Sequence, residues 1–212
     1  TWIHSGQKLN KHAGVAIGIN HDKLMASTLH SYAFPEQEEL RERALAVRTK
    51  DSTSDLLHIS VYFPLPTTKD GKRLVKGLIV WLAQLLDRLP KRCLPILYSD
   101  FNSGFGLDHN GNIIPTTVVG TYNRQKETAL GTMIGKFLER FNMVLPHTFK
   151  QHSSTFYSSN RIGASSFIDG IAIPMTMFDK DAMDSHVWMQ SGRALQLIRL
   201  LILLIMCQWC CR

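Results

Sequence analysis

The chain has 212 residues, 44% of them apolar and 19% charged, enough for one substantial core and too few to require a second. Lys and Arg outnumber Asp and Glu by 24 to 17, for a formal charge of +7 and a pI near 9.4, a balance that favours an anionic partner. No long basic run concentrates that charge, since Lys72-Arg73 and Lys91-Arg92 are only pairs. The cysteines, Cys93 alone and Cys207, Cys210 and Cys211 together at the C-terminus, exclude a spaced disulfide framework or a Cys/His zinc site. A reducing, intracellular setting is expected, with Cys93 a small buried hydrophobe.

The opening "TWIHSGQKLN" has neither an initiator Met nor the charged and apolar regions of a signal peptide, so a fragment is expected. Runs of strand length follow at "AGVAIGI" (13–19), "ALAVRT" (44–49), "LLHISVYF" (56–63), "LPILY" (94–98), "SFIDGIAI" (166–173) and "HVWMQ" (186–190), bounded by Gly, Pro, Asp or Ser. The polar "EQEELRER" (36–43) reads as a solvated loop or a short helical turn. A helix is predicted over about 72–89, with Leu74, Leu78, Trp81, Leu82, Leu85 and Leu89 on one face and Pro90 as its stop. A second is predicted over about 127–142, with Leu130, Ile134, Phe137, Leu138 and Phe141 on its face and Gly131 and Gly135 weakening it.

The final stretch, "ALQLIRLLILLIMCQWCCR", is apolar but interrupted at Gln196 and Arg199. Its unbroken part is far short of the roughly 20 residues that span a bilayer. A buried terminal helix, a thiol-acylated anchor and a segment foreign to the domain all fit, and the abrupt change in composition favours the last. The expected division is a domain at 1–190 and a tail at 191–212.

Five candidate residues fall at or beside strand ends. Asp100 and Asn102 follow "LPILY", where α/β folds place ligand-contacting groups, although an Asx-turn explains that pair equally well. Tyr62 closes "HISVY", and its phenol could donate to a phosphate oxygen. Asp169 lies inside an apolar run and needs a partner there. Asp184 and His186, two apart, would point the same way from an extended segment.

With these residues in this order, the sequence resembles the endonuclease/exonuclease/phosphatase family, which includes DNase I, apurinic/apyrimidinic endonucleases and the endonuclease domains of LINE-type retrotransposons. "SVYFP", "LYSDFN", "HSSTFYSSNR", "SFIDGIAIP" and "DSHVW" look like its successive motifs from roughly Ala13 to Met189. Their spacing is closest to the retrotransposon branch and its craniofacial-development-protein-like relatives. The resemblance implies an α/β fold, a DNase I-like sandwich of two mostly antiparallel β-sheets flanked by helices. It also implies that Asp100 positions or deprotonates the attacking water, that Asn102 holds the phosphate and the nucleophile, and that Tyr62 contacts the scissile phosphate. His186 would stabilise phosphoryl charge or assist proton transfer, with Asp169 orienting its ring. Magnesium, or manganese in its place, would be held with Asp184 and Asp100 as ligands. DNA, and with it a nuclear location, is the partner implied.

The sequence departs from the family pattern at several points. An Asn near the domain start and a Gln-Glu pair, whose Glu is a principal metal ligand, should precede "AGVAIGI"; the first 12 residues have no Gln-Glu pair, since Gln7 is followed by Lys8, and Asn10 is not placed as that motif requires. Ser99 stands where the family has Gly, Gly170 where it has Tyr, and Asp184-Ser185-His186 reverses the usual order of Ser and Asp. The expectation is therefore a domain lacking its N-terminal strand, marginally stable, and a weak or inactive DNA endonuclease. A non-catalytic nucleic-acid binder and a phosphatase or deadenylase of the same fold are the alternatives.

Overall fold

The computed structural model describes residues 1–5, 14–20, 28–151, 156–157, 165–181 and 183. In chain order the elements are β1 (Trp2–His4), β2 (Ala16–Gly18), β3 (Thr28–Ala33), α1 (Glu38–Arg41), β4 (Ala44–Lys50), β5 (Asp55–Tyr62), α2 (Lys69–Asp87) and β6 (Leu94–Asp100). There follow β7 (Gly106–Leu107), β8 (Gln125–Lys126), α3 (Ala129–Arg140), β9 (Met143–Val144), β10 (Phe156–Tyr157), β11 (Ser165–Ser166) and β12 (Asp169–Pro174). The fold is α/β, built on a six-stranded mixed sheet of order β3-β4-β5-β6-β12-β9.

The sheet grows from a hairpin. Between β4 and β5 the Asp51 carboxylate accepts from the N–H groups of Thr53 at 2.7 Å and Ser54 at 2.6 Å, an Asx-turn that reverses the chain within four residues. Arg48 then donates from Nε and Nη2 to the two oxygens of Asp55 at 2.7 and 2.6 Å. This two-point pair holds the Asp55 carboxyl well below the usual carboxylate range against the cost of burial. Arg92, just before β6, donates to the same carboxylate at 3.1 Å. Cys93 is buried beside it, where burial and Asp55 push the thiol up to about 11. It is inert, as the sequence predicts.

From β5 the chain crosses over through α2 and returns as β6, parallel to β5. Thr68 starts α2, its hydroxyl accepting from the Gly71 N–H at 3.0 Å. The fully buried side of α2 is Val75, Leu78, Leu82 and Leu86, while the predicted Leu74, Trp81, Leu85 and Leu89 are partly buried flanks. An apolar face this wide does not reveal its own midline, which the sheet beneath selects. Thr128 caps α3 in the same way, accepting from Gly131 N–H at 3.2 Å, and its hydroxyl also bonds that of Ser103 at 2.7 Å. Gly131 is buried, and a Cβ there would run into the Gly104 carbonyl. The glycine that weakens the isolated helix thus permits its closest approach to the loop after β6.

Both faces of the sheet are covered. On one, Ala44, Ala46, Leu57, Ile59, Val61 and Leu97 pack under α2 and α3. On the other, Leu45 and Val47 meet Val15 and Ile19 from the β1–β2 segment, and Ile96, Tyr98, Val144 and Ile173 form a separate cluster.

Several strands were not foreseen, among them β1, β3 and the two-residue β7, β8, β9 and β10. β1 is only three residues long and pairs with β2. β3 is an edge strand whose Leu29 and Tyr32 are exposed, so it carries no apolar alternation to read. The predicted strand at 186–190 and the tail at 191–212 lie outside the described residues. Leu78 sits fully buried at the centre of the larger core. Leu78→Ala is expected to lower the unfolding free energy by about 2–5 kcal/mol, read as a lower urea midpoint at unchanged slope.

Candidate active site

Because β5 and β6 are parallel, both end at the same edge of the sheet, and the antiparallel β12 begins there. The registers align Tyr62 with Asp100 and Asp100 with Asp169. Residues directly opposed across strands share a face, so the phenol and the two carboxylates stand in one row. Main-chain bonds stitch this edge together. The Phe63 N–H donates to the Asp100 carbonyl at 3.1 Å, and the Phe101 N–H to the Ile168 carbonyl at 2.6 Å. Ser99, the residue that replaces a family Gly, donates its hydroxyl to the Val61 carbonyl at 3.0 Å and ties β6 to β5.

Asn102 completes the row from the loop. Its φ of 48° places it in the left-handed region, which Asn tolerates better than most residues. Its N–H donates to Asp100 Oδ1 at 3.1 Å and its Nδ2 to the Phe63 carbonyl at 2.8 Å. The Asx-turn thus fixes the amide beside the acid. Phe101 lies between them in sequence but points into the core, stacked on Phe63 and edge-on to Phe105.

The electrostatics of the row are strained. Asp100 is half-buried and its carboxyl is pushed up to about 7, first by burial and then by the charge of Asp169, while the Asn102 N–H pulls the other way. Two opposed carboxylates of this kind are hard oxygen donors that a divalent cation would stabilise together. Magnesium needs few protein ligands because it keeps its waters. The pair therefore fits such an ion, although among the described residues no group of three or more His, Cys, Asp or Glu stands ready for a metal.

Tyr62, Asp100, Asn102 and Asp169 are brought together as the sequence reading expects. Asp184 and His186 lie outside the described residues. Two neighbours were missed. Gly170 leaves room that the His147 ring occupies, since a Cβ there would come within 2.6 Å of His147 Cε1. Arg43, only 7% exposed, lays its guanidinium 5.1 Å from the centre of the Tyr62 ring. A basic residue at the mouth of "ALAVRT" was the only available signal for it.

No protein-family model and no curated protein matches the chain. Solved structures do. The endonuclease domain of TRAS1, a telomere-specific non-LTR retrotransposon, is 16% identical over 87% of this chain and 70% of its own, with a TM-score of 0.52. An AP endonuclease from Archaeoglobus fulgidus is 19% identical over 83% of this chain and 67% of its own, with a TM-score of 0.51. The chain has the DNase I-like endonuclease/exonuclease/phosphatase fold and spans about two thirds of the length of these domains. Among the described residues no helix is long and apolar enough to cross a membrane.

A raised acid makes stability pH-dependent. Below its ordinary value of 3.8 Asp100 is protonated in both folded and unfolded chains and has no effect. Between there and about 7 only the folded chain keeps the proton, so stability falls as pH rises, and above about 7 the loss is complete. In buffer free of divalent cations, Asp100→Asn is expected to raise the melting temperature at pH 8, by a stability of order 2 kcal/mol. The difference should vanish near pH 3.5, as thermal melts across pH would show.

Proposed function

We propose that this chain is a metal-dependent phosphodiesterase, carried by residues 1–190, that hydrolyses the DNA backbone in the manner of a retrotransposon endonuclease. The observation that carries the reading is the in-register row of Tyr62, Asp100 and Asp169 with Asn102 locked beside it. Asp100, whose carboxyl is held above the ordinary carboxylate range by burial and by Asp169 in the metal-free chain, is the group that takes a proton from the attacking water. One amide hydrogen of Asn102 is bound to Phe63, which leaves the other for a phosphoryl oxygen. Tyr62 donates its hydroxyl to the same phosphate. His186, oriented by Asp169, stabilises charge on the leaving side.

Magnesium or manganese, held by Asp100 and Asp169 with Asp184 as the further acid, would neutralise developing phosphoryl charge when bound. The net charge of +7 and the endonuclease names of the similar structures support a nucleic-acid backbone, here DNA, over other phosphodiesters.

Supercoiled plasmid incubated with the purified chain and magnesium tests the reading. Nicking is expected, abolished by chelator and reduced at least about 100-fold by Asp100→Ala or Asn102→Ala. Nicking that survives Asp100→Ala unchanged rules out Asp100 as the base. Absence of nicking in every condition, with DNA retained in a salt-sensitive manner, replaces the enzyme with a binding domain.

Magnesium is further expected to raise the melting temperature of the wild-type chain at pH 8 more than that of a variant carrying both Asp100→Asn and Asp169→Asn. Equal shifts would place the ion elsewhere.

A further inference from the structure

Most of the arginines whose contacts the structure shows have a paired acid or a spent donor. Arg48 and Arg92 share Asp55, Arg73 meets Glu39, Arg140 meets Asp87, and Arg124 donates Nε to the Gly120 carbonyl. Arg43 differs. Its side chain is buried, its contact is the face of the Tyr62 ring, and its Nη1 has no hydrogen-bond partner; Arg124 Nη1 lacks one too, but Arg124 is anchored through Nε and Arg43 has no such bond.

A guanidinium cannot shed its proton to escape burial, and a buried charge without an acceptor is costly. Stacking on Tyr62 offsets part of that cost and leaves the nitrogen edge of the fork unused. That edge is the part of Arg that matches the oxygens of a phosphate in a two-point contact.

Its position matches the need. The Tyr62 N–H donates to the Arg43 carbonyl at 2.8 Å, so the β4–β5 ladder continues to this residue and places Arg43 on the row, one strand beyond Tyr62. Strands lie about 4.8 Å apart, which puts the Arg43 backbone roughly 10 Å from that of Asp100, a gap that one phosphate over Tyr62 would fill. The row then reads cation, phenol, acid, acid. A phosphodiester laid along it would turn its charged oxygens toward Arg43 and its reacting face toward Asp100.

We propose that Arg43 and Tyr62 form a two-point clamp for a DNA backbone phosphate, Arg43 binding its oxygens directly. The identity of the anion rests on the phosphodiesterase reading above, whereas the clamp itself rests on the unpartnered guanidinium. It fixes the orientation of the substrate across the sheet edge.

The test is binding of a short fluorescent DNA duplex in chelator, where no turnover occurs, over a series of salt concentrations. Arg43→Met keeps a long apolar stem against Tyr62. It is expected to weaken binding about tenfold and to lower the slope of log affinity against log salt by about one, the signature of one lost phosphate contact. Arg43→Lys should keep the slope and lose part of the affinity, because a point charge replaces a fork. Tyr62→Phe should weaken binding without changing the slope. Lys72→Met, on the outer face of α2, should leave affinity at this site unchanged within twofold.

Wild-type affinity and slope in Arg43→Met, with only its melting temperature lowered, would make Arg43 a packing residue and overturn the clamp. Should Arg43→Met fail to fold, unchanged affinity in both Arg43→Lys and Tyr62→Phe would overturn it equally. Arg43-dependent binding without nicking sinks the hydrolytic reading alone, and nicking with Arg43-independent binding sinks the clamp alone.

Discussion

The parallel pairing of β5 and β6 is the constraint from which the rest follows. Parallel neighbours cannot be joined by a tight turn, so the chain must pass through α2, and the apolar side of that helix becomes the main core. The same pairing puts two strand C-termini at one edge. Had the strands been antiparallel, Tyr62 and Asp100 would lie at opposite ends of the sheet. The Ser99 hydroxyl and the Phe63 N–H hold the last two rungs, and the row of candidate groups depends on that register, because a one-residue slip would turn Asp100 to the other face.

Stability is anchored away from this edge. The opposite end of β5 carries Asp55, joined to Arg48 and Arg92 with every charge answered. The β4–β5 turn, the start of β6 and the buried Cys93 all converge on it. One end of the sheet therefore holds a carboxylate kept ionised by two arginines, and the other holds a carboxylate pushed toward protonation by burial and by a second acid. The contrast has a physical reason. A satisfied ion pair rigidifies the strand, whereas two opposed carboxylates at the far end repel one another and would gain from a bound cation.

Much of this was legible in the sequence. The two long helices, α2 and α3, declared themselves through apolar spacing, and the central strands through apolar runs ending in Asp, Tyr or Pro. Tyr62 and Asp100 were singled out because each is a polar residue where an apolar run stops, and Asp169 because it interrupts one, all local signals. What was not legible depends on pairing. β1 and β3 are short or polar and exist through the partners that they meet. Nor could the sequence show that Asp169 would stand opposite Asp100, since 69 residues separate them and only the sheet register brings them together. Of the two readings of Asp100 and Asn102, the Asx-turn is what the structure shows, and its geometry is compatible with the other.

The departures from the family pattern also take on a local meaning. Ser99 in place of Gly adds an inter-strand hydrogen bond rather than a clash. Gly170 in place of Tyr leaves a gap that the His147 ring fills, itself stacked against Phe167. Neither change disturbs the register that aligns the acids, for in β12 the residue after Asp169 points to the opposite face of the sheet. The alignment of Tyr62, Asp100 and Asp169 is set by backbone pairing, so it does not depend on the side chains of the residues between them.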